Sequence, residues 1–143
     1  MSDGVTEHEG TCHCGAIGFV YRTALEPHEW PVRACQCTFC RRHGGLSTSD
    51  PRGSLRFFEH AQGALNRYRF GRKTTDFLIC GRCGAYIGAT MESDGKRFGI
   101  INVRALQSVL DRLPDPQPMH YENEAAGERV ARREARWTPI SLP

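Results

Sequence analysis

Residues 10–22 read GTCHCGAIGFVYR and join two patterns of different structural meaning. Cys12 and Cys14 lie one residue apart just before a glycine, and two thiolates at that spacing on a tight turn can bind one metal ion. Ile17, Phe19 and Tyr21 then occupy every second position, which is the period of a β-strand with one buried face. The stretch therefore predicts a metal-binding turn that leads into a strand.

Short runs of the same strand type recur along the chain, at residues 55–58, 68–70, 77–79, 86–89 and 98–103. Turn residues separate the runs, among them Pro51, Gly53, Gly71 and Gly84. Several short strands at intervals of about 8–12 residues favour an antiparallel, mostly β domain over βαβ units.

Two segments are predicted to be helical. Leu106, Val109, Leu110 and Leu113 follow the i, i+3, i+4, i+7 pattern, which predicts a short helix over 105–113 that packs on a sheet. Residues 123–136 contain four arginines and three glutamates, so a solvated helix is favoured over a basic contact surface. Trp137 and Pro139 are predicted to anchor the tail to the body of the protein.

The overall composition is that of one ordinary soluble domain. The chain has 143 residues, of which 39% are hydrophobic, and its formal net charge is +3. A chain of this length can bury about 68–70% of its unfolded surface around a single core. The small positive excess argues against a nucleic-acid partner. The sequence contains neither a secretory signal nor a membrane-spanning apolar run, so a cytoplasmic location without membrane association is predicted, and no oligomeric state is indicated.

The seven cysteines are odd in number, which argues against a disulfide framework. They form three groups: Cys12 and Cys14; Cys35, Cys37 and Cys40; Cys80 and Cys83. A redox-active pair of cysteines would be expected where a strand enters a helix in a βαβ unit, and the spacings of common iron–sulfur proteins are absent. Zinc ligation is therefore the favoured interpretation.

Two divisions of the cysteines are compatible with the spacing. One joins Cys12, Cys14, Cys80 and Cys83, and leaves Cys35, Cys37 and Cys40. The other joins Cys37, Cys40, Cys80 and Cys83, and leaves Cys12, Cys14 and Cys35. Both give a closed site of four ligands, typical of structural zinc, and a site of three ligands that leaves one position open, as in catalytic zinc. His43 is a candidate to close the second site.

Three motifs resemble those of the glutathione-dependent formaldehyde-activating enzyme family, which also includes centromere protein V. They are G-x-C-x-C-G at 10–15, C-x-C-x-x-C-R-x-x-G-G at 35–45 and F-x-x-C-x-x-C-G at 77–84. The arginine-rich segment followed by Arg136-Trp137-Thr138-Pro139 is similar to the C-terminal end of a bacterial branch. The resemblance implies a single zinc domain over residues 1–143, with a core from about 10 to 139.

The resemblance also implies a fold, metal sites and an activity. The fold is a mostly β, tent-like arrangement of short antiparallel sheets with one or two short helices. Two zinc ions per chain are implied, a structural ion on Cys12, Cys14, Cys80 and Cys83 and a second, catalytic ion on Cys35, Cys37 and Cys40.

The implied activity is that of a carbon–sulfur lyase. It condenses glutathione, or a related thiol, with formaldehyde or another small aldehyde to an S-hydroxyalkyl adduct. Four residues beside the second zinc site are candidates to bind carboxylates of glutathione or to balance thiolate charge: Arg33, Arg41, Arg42 and His43. The alternative function is a non-catalytic zinc module that binds a protein partner or a small thiol.

Overall fold

A computed structural model describes residues 4–71 and 74–141 and contains two open β-sheets. The smaller sheet is antiparallel and has the strand order β1 (Thr6–Thr11), β2 (Ile17–Thr23), β5 (Ser54–Glu59). Cys12 to Gly15 belong to the turn that joins β1 to β2. The strand predicted from the alternation of Ile17, Phe19 and Tyr21 is confirmed, and all three side chains are fully buried.

The larger sheet has eight strands. Its order is β10 (Gln117–Met119), β3 (Arg33–Cys35), β4 (Ser47–Thr48), β9 (Lys96–Asn102), β8 (Tyr86–Ser93), β7 (Asp76–Cys80), β6 (Leu65–Tyr68), and β11 (Thr138–Pro139) pairs with β9. All pairings are antiparallel except that of β10 with β3. The predicted mostly β fold class is confirmed. The strand predicted at 68–70 lies earlier in the chain, because β6 ends at Tyr68.

Two α-helices are present in the described residues, α1 (Thr38–His43) and α2 (Ala126–Arg136). The second is the helix predicted within 123–136, whereas α1 was not predicted. Neither is long and apolar enough to cross a membrane. Short 3₁₀ turns occur at Pro27–Glu29, Val103–Ala105 and Leu110–Arg112.

The predicted helix over 105–113 is wrong. The Gln107 N–H donates to the carbonyl of Glu9 on β1 at 3.0 Å, so this segment runs along the smaller sheet and forgoes helical hydrogen bonds. Val109 has a φ of +64°, which is outside the helical region. Leu106 is buried while Leu110 is 48% exposed, so the four apolar residues do not share one buried face. Contacts with the sheet override the local periodicity.

The larger sheet buries side chains on both faces, because successive residues of a strand point to opposite sides. Leu78, Ile87 and Ile101 pack with residues of β2 and β5 in a core between the two sheets. Their neighbours Phe77, Tyr86 and Ile100 belong to a second core on the opposite face, together with Phe39 of α1 and Trp137. This second core holds α1 and the chain after α2 against the larger sheet.

Candidate metal centres and the adjoining cavity

The cysteines of the first and third sequence groups meet in one cluster. The sulfur atoms of Cys12, Cys14, Cys80 and Cys83 all lie within 4.8 Å of one another. Sγ of Cys14 is 3.8 Å from Sγ of Cys12 and 3.6 Å from Sγ of Cys80. A tetrahedron with sulfur atoms about 2.3 Å from its centre has edges of about 3.8 Å. The four thiols therefore fit a tetrahedral zinc ion, and they form the first of the two divisions that the spacing allows.

Two turns, each ending in a glycine, present these sulfur atoms. Gly15 and Gly84 follow the last cysteine of each turn and have φ values of +83° and +80°, which glycine adopts without steric cost. Backbone N–H groups then point at sulfur: Ile17 N–H donates to Cys12 Sγ at 3.4 Å, and Arg82 N–H donates to Cys80 Sγ at 3.3 Å. Such bonds stabilise negative charge on the thiolates.

The electrostatics of the turns favour ionised sulfur at Cys83. Burial raises the pKa of its thiol, but hydrogen bonds with the backbone of Ala85 and Cys14 and with the thiols of Cys80 and Cys12 together outweigh this and lower the pKa to about 6. A thiolate at neutral pH is the form that binds metal.

The cysteines of the middle group form a second cluster. Cys35 ends β3, Cys37 is the N-cap of α1, and Cys40 lies in the first turn of that helix, with its N–H 3.4 Å from Cys37 Sγ. Their three sulfur atoms lie within 4.8 Å of one another. The thiols of Cys35 and Cys40 lower the pKa of Cys37 well below its ordinary value.

No histidine or carboxylate of the described residues joins this second cluster within 4.8 Å. His43, the candidate fourth ligand, packs its ring against Phe39 at a centroid distance of 4.3 Å. It lines a separate cavity together with Arg42 and Tyr68. The three thiols therefore offer a metal ion three protein ligands.

The three thiols line a cavity of about 490 Å³. Its apolar wall includes Phe70, Phe77, Ile100 and Trp137, which belong to or pack against the second core of the larger sheet. Its polar wall includes Arg33 of β3, Tyr121, Glu122, and Arg129, Arg132 and Arg133 of α2. A cavity of this size, largely apolar with a few convergent charged groups, is typical of a small-molecule site.

Two of the arginines in the wall are almost completely buried, Arg33 with 8% and Arg133 with 9% of its surface exposed. Burial lowers the pKa of Arg33, and burial together with the charge of Arg132 lowers the pKa of Arg133 to about 10. Both side chains remain cations at neutral pH, because a guanidinium does not lose its proton in this range even when burial lowers its pKa. The guanidinium of Arg133 also lies 4.9 Å from the centre of the Trp137 ring.

The sequence-based expectations for the charged residues are only partly met. Arg33 lines the cavity, whereas Arg41, Arg42 and His43 are not among its lining residues. The solvated helix expected within 123–136 is wrong for one face, because Arg129, Arg132 and Arg133 face the cavity. The high density of arginines before Trp137 could have predicted that these side chains line a site. The nearly equal number of glutamates in the segment favoured the solvated helix instead.

Comparison with known proteins agrees with this architecture. The family model described as glutathione-dependent formaldehyde-activating enzyme matches residues 7–123, and the chain belongs to this family. A Halomonas elongata protein whose name repeats that description is 43% identical over 37 residues, which are 26% of this chain and 22% of the relative's length.

A crystal structure of a Rhodobacter sphaeroides protein, determined in a structural genomics programme, has a similar fold. The TM-score is 0.62 and the sequence identity 29%, with 78% of this chain and 99% of that chain covered. Helix α2 begins after the last residue that the family model matches.

Proposed function

We propose that this chain is a zinc-dependent enzyme of the carbon–sulfur lyase type that joins glutathione, or a related thiol, to formaldehyde or another small aldehyde. The observation that carries the proposal is the contrast between the two thiol clusters. Four thiols close one tetrahedron, while three thiols line a cavity large enough for a small molecule. Membership of the formaldehyde-activating family supports this choice of substrates.

The donor atoms support zinc at both clusters. All seven are cysteine sulfurs, and soft thiolate ligands favour zinc over magnesium or calcium. Cys12, Cys14, Cys80 and Cys83 would hold a structural ion, and Cys35, Cys37 and Cys40 would hold the catalytic one. When bound to three thiolates, zinc supplies a fourth coordination position at which a thiol ionises near neutral pH.

The proposed reaction is an addition in which all atoms of both substrates are kept. The S–H bond of the thiol breaks, a bond forms between sulfur and the aldehyde carbon, and the carbonyl oxygen takes up a proton. The protein residues orient the two substrates. Phe70, Phe77 and Trp137 exclude water from one wall, and the arginines oppose the negative charge of the thiolates.

Exchange spectroscopy by NMR on mixtures of formaldehyde and glutathione tests this function. Because the addition also occurs without a catalyst, the expected result is an exchange rate above that of buffer, proportional to protein concentration. Cys37→Ser is expected to return the rate to that of buffer. Arg56→Gln, on an exposed side chain of β5 outside the cavity wall, is the matched control and is expected to retain the wild-type rate.

The alternative is a zinc module without catalytic activity. It would be favoured by the absence of acceleration with several thiols and aldehydes, measured on protein with a full complement of metal. The same module would be expected to bind glutathione, or another thiol, without changing the exchange rate.

A further inference from the structure

We propose that Arg33 and Arg133 form a subsite for a carboxylate group of the thiol substrate, beside Cys35, Cys37 and Cys40. This inference rests on the function proposed above and adds the group by which the substrate would be recognised. The subsite joins an arginine of β3 to an arginine of α2, which are 100 residues apart in the sequence.

The first observation is that two buried cations form no ion pair with a described carboxylate, although the charge of Glu124 acts on Arg133 from a distance. Arg33 and Arg133 are each more than nine-tenths buried and both line the cavity. Among residues 4–71 and 74–141, no carboxylate forms an ion pair with either. Removing a cation from water without a partner is costly, so such a pair is expected where an anion binds.

The remaining arginines of the wall are already neutralised in part. Arg132 donates to both carboxylate oxygens of Glu124, at 2.7 and 3.0 Å, and Arg129 lies 3.6 Å from the same carboxylate. Glu122 is 3.5 Å from His120. Three thiolates around a divalent ion add only one excess negative charge. The described wall therefore keeps a net positive charge, which an anionic ligand would balance.

Neutral groups hold the two guanidiniums in place. Arg33 Nη2 donates to Ser49 Oγ, and Ser49 Oγ donates to the Arg136 carbonyl at 2.7 Å. Arg133 Nη1 donates to the hydroxyls of Thr74, at 3.1 Å, and Thr75.

These hydrogen bonds leave other N–H donors of both guanidiniums available for a ligand. The Nε of Arg133 is buried and has no hydrogen-bond partner in the described part of the chain. A planar fork with free donors matches a carboxylate, which accepts two parallel hydrogen bonds.

Calorimetric titration of the metal-loaded protein tests the subsite, with S-methylglutathione and its diethyl ester as probes. The methyl group blocks the thiol, so the measurement reports recognition of the peptide separately from reaction at sulfur. Wild-type protein is expected to bind the free acid about tenfold or more tightly than the diester. Arg133→Gln is expected to abolish this preference, and Arg133→Lys to restore part of it.

Arg56→Gln is the matched control, because it removes one positive charge from an exposed side chain of β5, outside the cavity, and it is expected to keep the preference for the acid. Equal binding of acid and diester by the wild type, or no binding of the acid, would overturn the subsite. The comparison of acid and diester uses the wild-type protein alone, so it does not depend on whether a variant folds. Arg33→Gln tests the second arginine of the subsite and is expected to weaken the same preference for the acid.

The two proposals fail in different ways. If the protein prefers the free acid but does not accelerate the exchange between formaldehyde and glutathione, the subsite is retained and the enzymatic function is rejected. If the protein accelerates the exchange and Arg133→Gln leaves the KM for glutathione unchanged, the enzymatic function is retained and the subsite is rejected.

Discussion

Sγ of Cys14 lies 3.6 Å from Sγ of Cys80, although 66 positions separate the two residues in the sequence. Cys14 belongs to the turn between β1 and β2 of the smaller sheet, and Cys80 is the last residue of β7 in the larger sheet. A metal ion at this contact would therefore cross-link the two sheets beside the core that they share.

Replacing one ligand of this cross-link is expected to unfold the protein. In Cys83→Ser the metal would lose one of four ligands, and a structural zinc ion contributes on the order of 10 kcal/mol to folding. The expected result is loss of the cooperative thermal transition, measured by circular dichroism. Cys37→Ser, in the three-thiol cluster, is the matched control and is expected to keep the transition. Native-like unfolding of Cys83→Ser would contradict the structural role.

Metal content distinguishes the two clusters independently of activity. The four-thiol and three-thiol clusters are expected to give two zinc ions per wild-type chain in elemental analysis. In Cys37→Ser the content is expected to fall to one, because only the open cluster is disrupted. One ion per wild-type chain, at saturating zinc, would refute the division into two sites.

Asp50 is a buried carboxylate whose removal is expected to destabilise the fold. Its oxygens accept hydrogen bonds from the Thr23 hydroxyl at 2.6 Å and from the Arg52 N–H at 2.9 Å. Asp50→Ala is expected to lower the free energy of unfolding by about 3 kcal/mol, because both donors lose a charged acceptor. Urea denaturation measures the change. Asp115→Ala, at an exposed position, should leave the midpoint unchanged, and an equal effect of both variants would contradict the role of Asp50.

His8 is expected to make stability depend on pH. The residue is 7% exposed, and its ring packs edge-on against Trp30 at 4.9 Å and has an Nε2 without a hydrogen-bond partner in the described residues. Burial, and then the charge of Arg112, lower the pKa of His8 below its ordinary 6.5. Above pH 6.5 the ring is neutral in both states. Below pH 6.5 the unfolded state binds a proton before the folded state does, so the free energy of unfolding decreases as the pH decreases.

Comparison with His8→Phe isolates this contribution, because phenylalanine does not titrate. The difference in the free energy of unfolding between wild type and variant is expected to be constant from pH 7 to 8. As the pH falls below 6.5, the wild type should lose stability relative to the variant. A difference that stays constant down to pH 5 would show that His8 does not carry the effect.

Local patterns predicted the elements whose hydrogen bonds and burial are set by near neighbours. The alternation of Ile17, Phe19 and Tyr21 identified β2, and the glycines after Cys14 and Cys83 identified turns, in which the structure gives both glycines a positive φ. The same reasoning failed at residues 105–113, where the hydrogen bond from Gln107 to Glu9 joins the segment to a distant strand. Periodicity carries no information about such a partner.

The sequence by itself determined the chemistry of the ligands, because the groups of closely spaced cysteines and the glycines beside them act over a few residues. The tertiary structure decided which groups meet, since Cys14 and Cys80 come together only when the two sheets pack on a common core. It also decided that Arg133 faces the three-thiol cluster. That side chain became part of a cavity wall because Trp137 is buried against the larger sheet and holds the end of α2 in place.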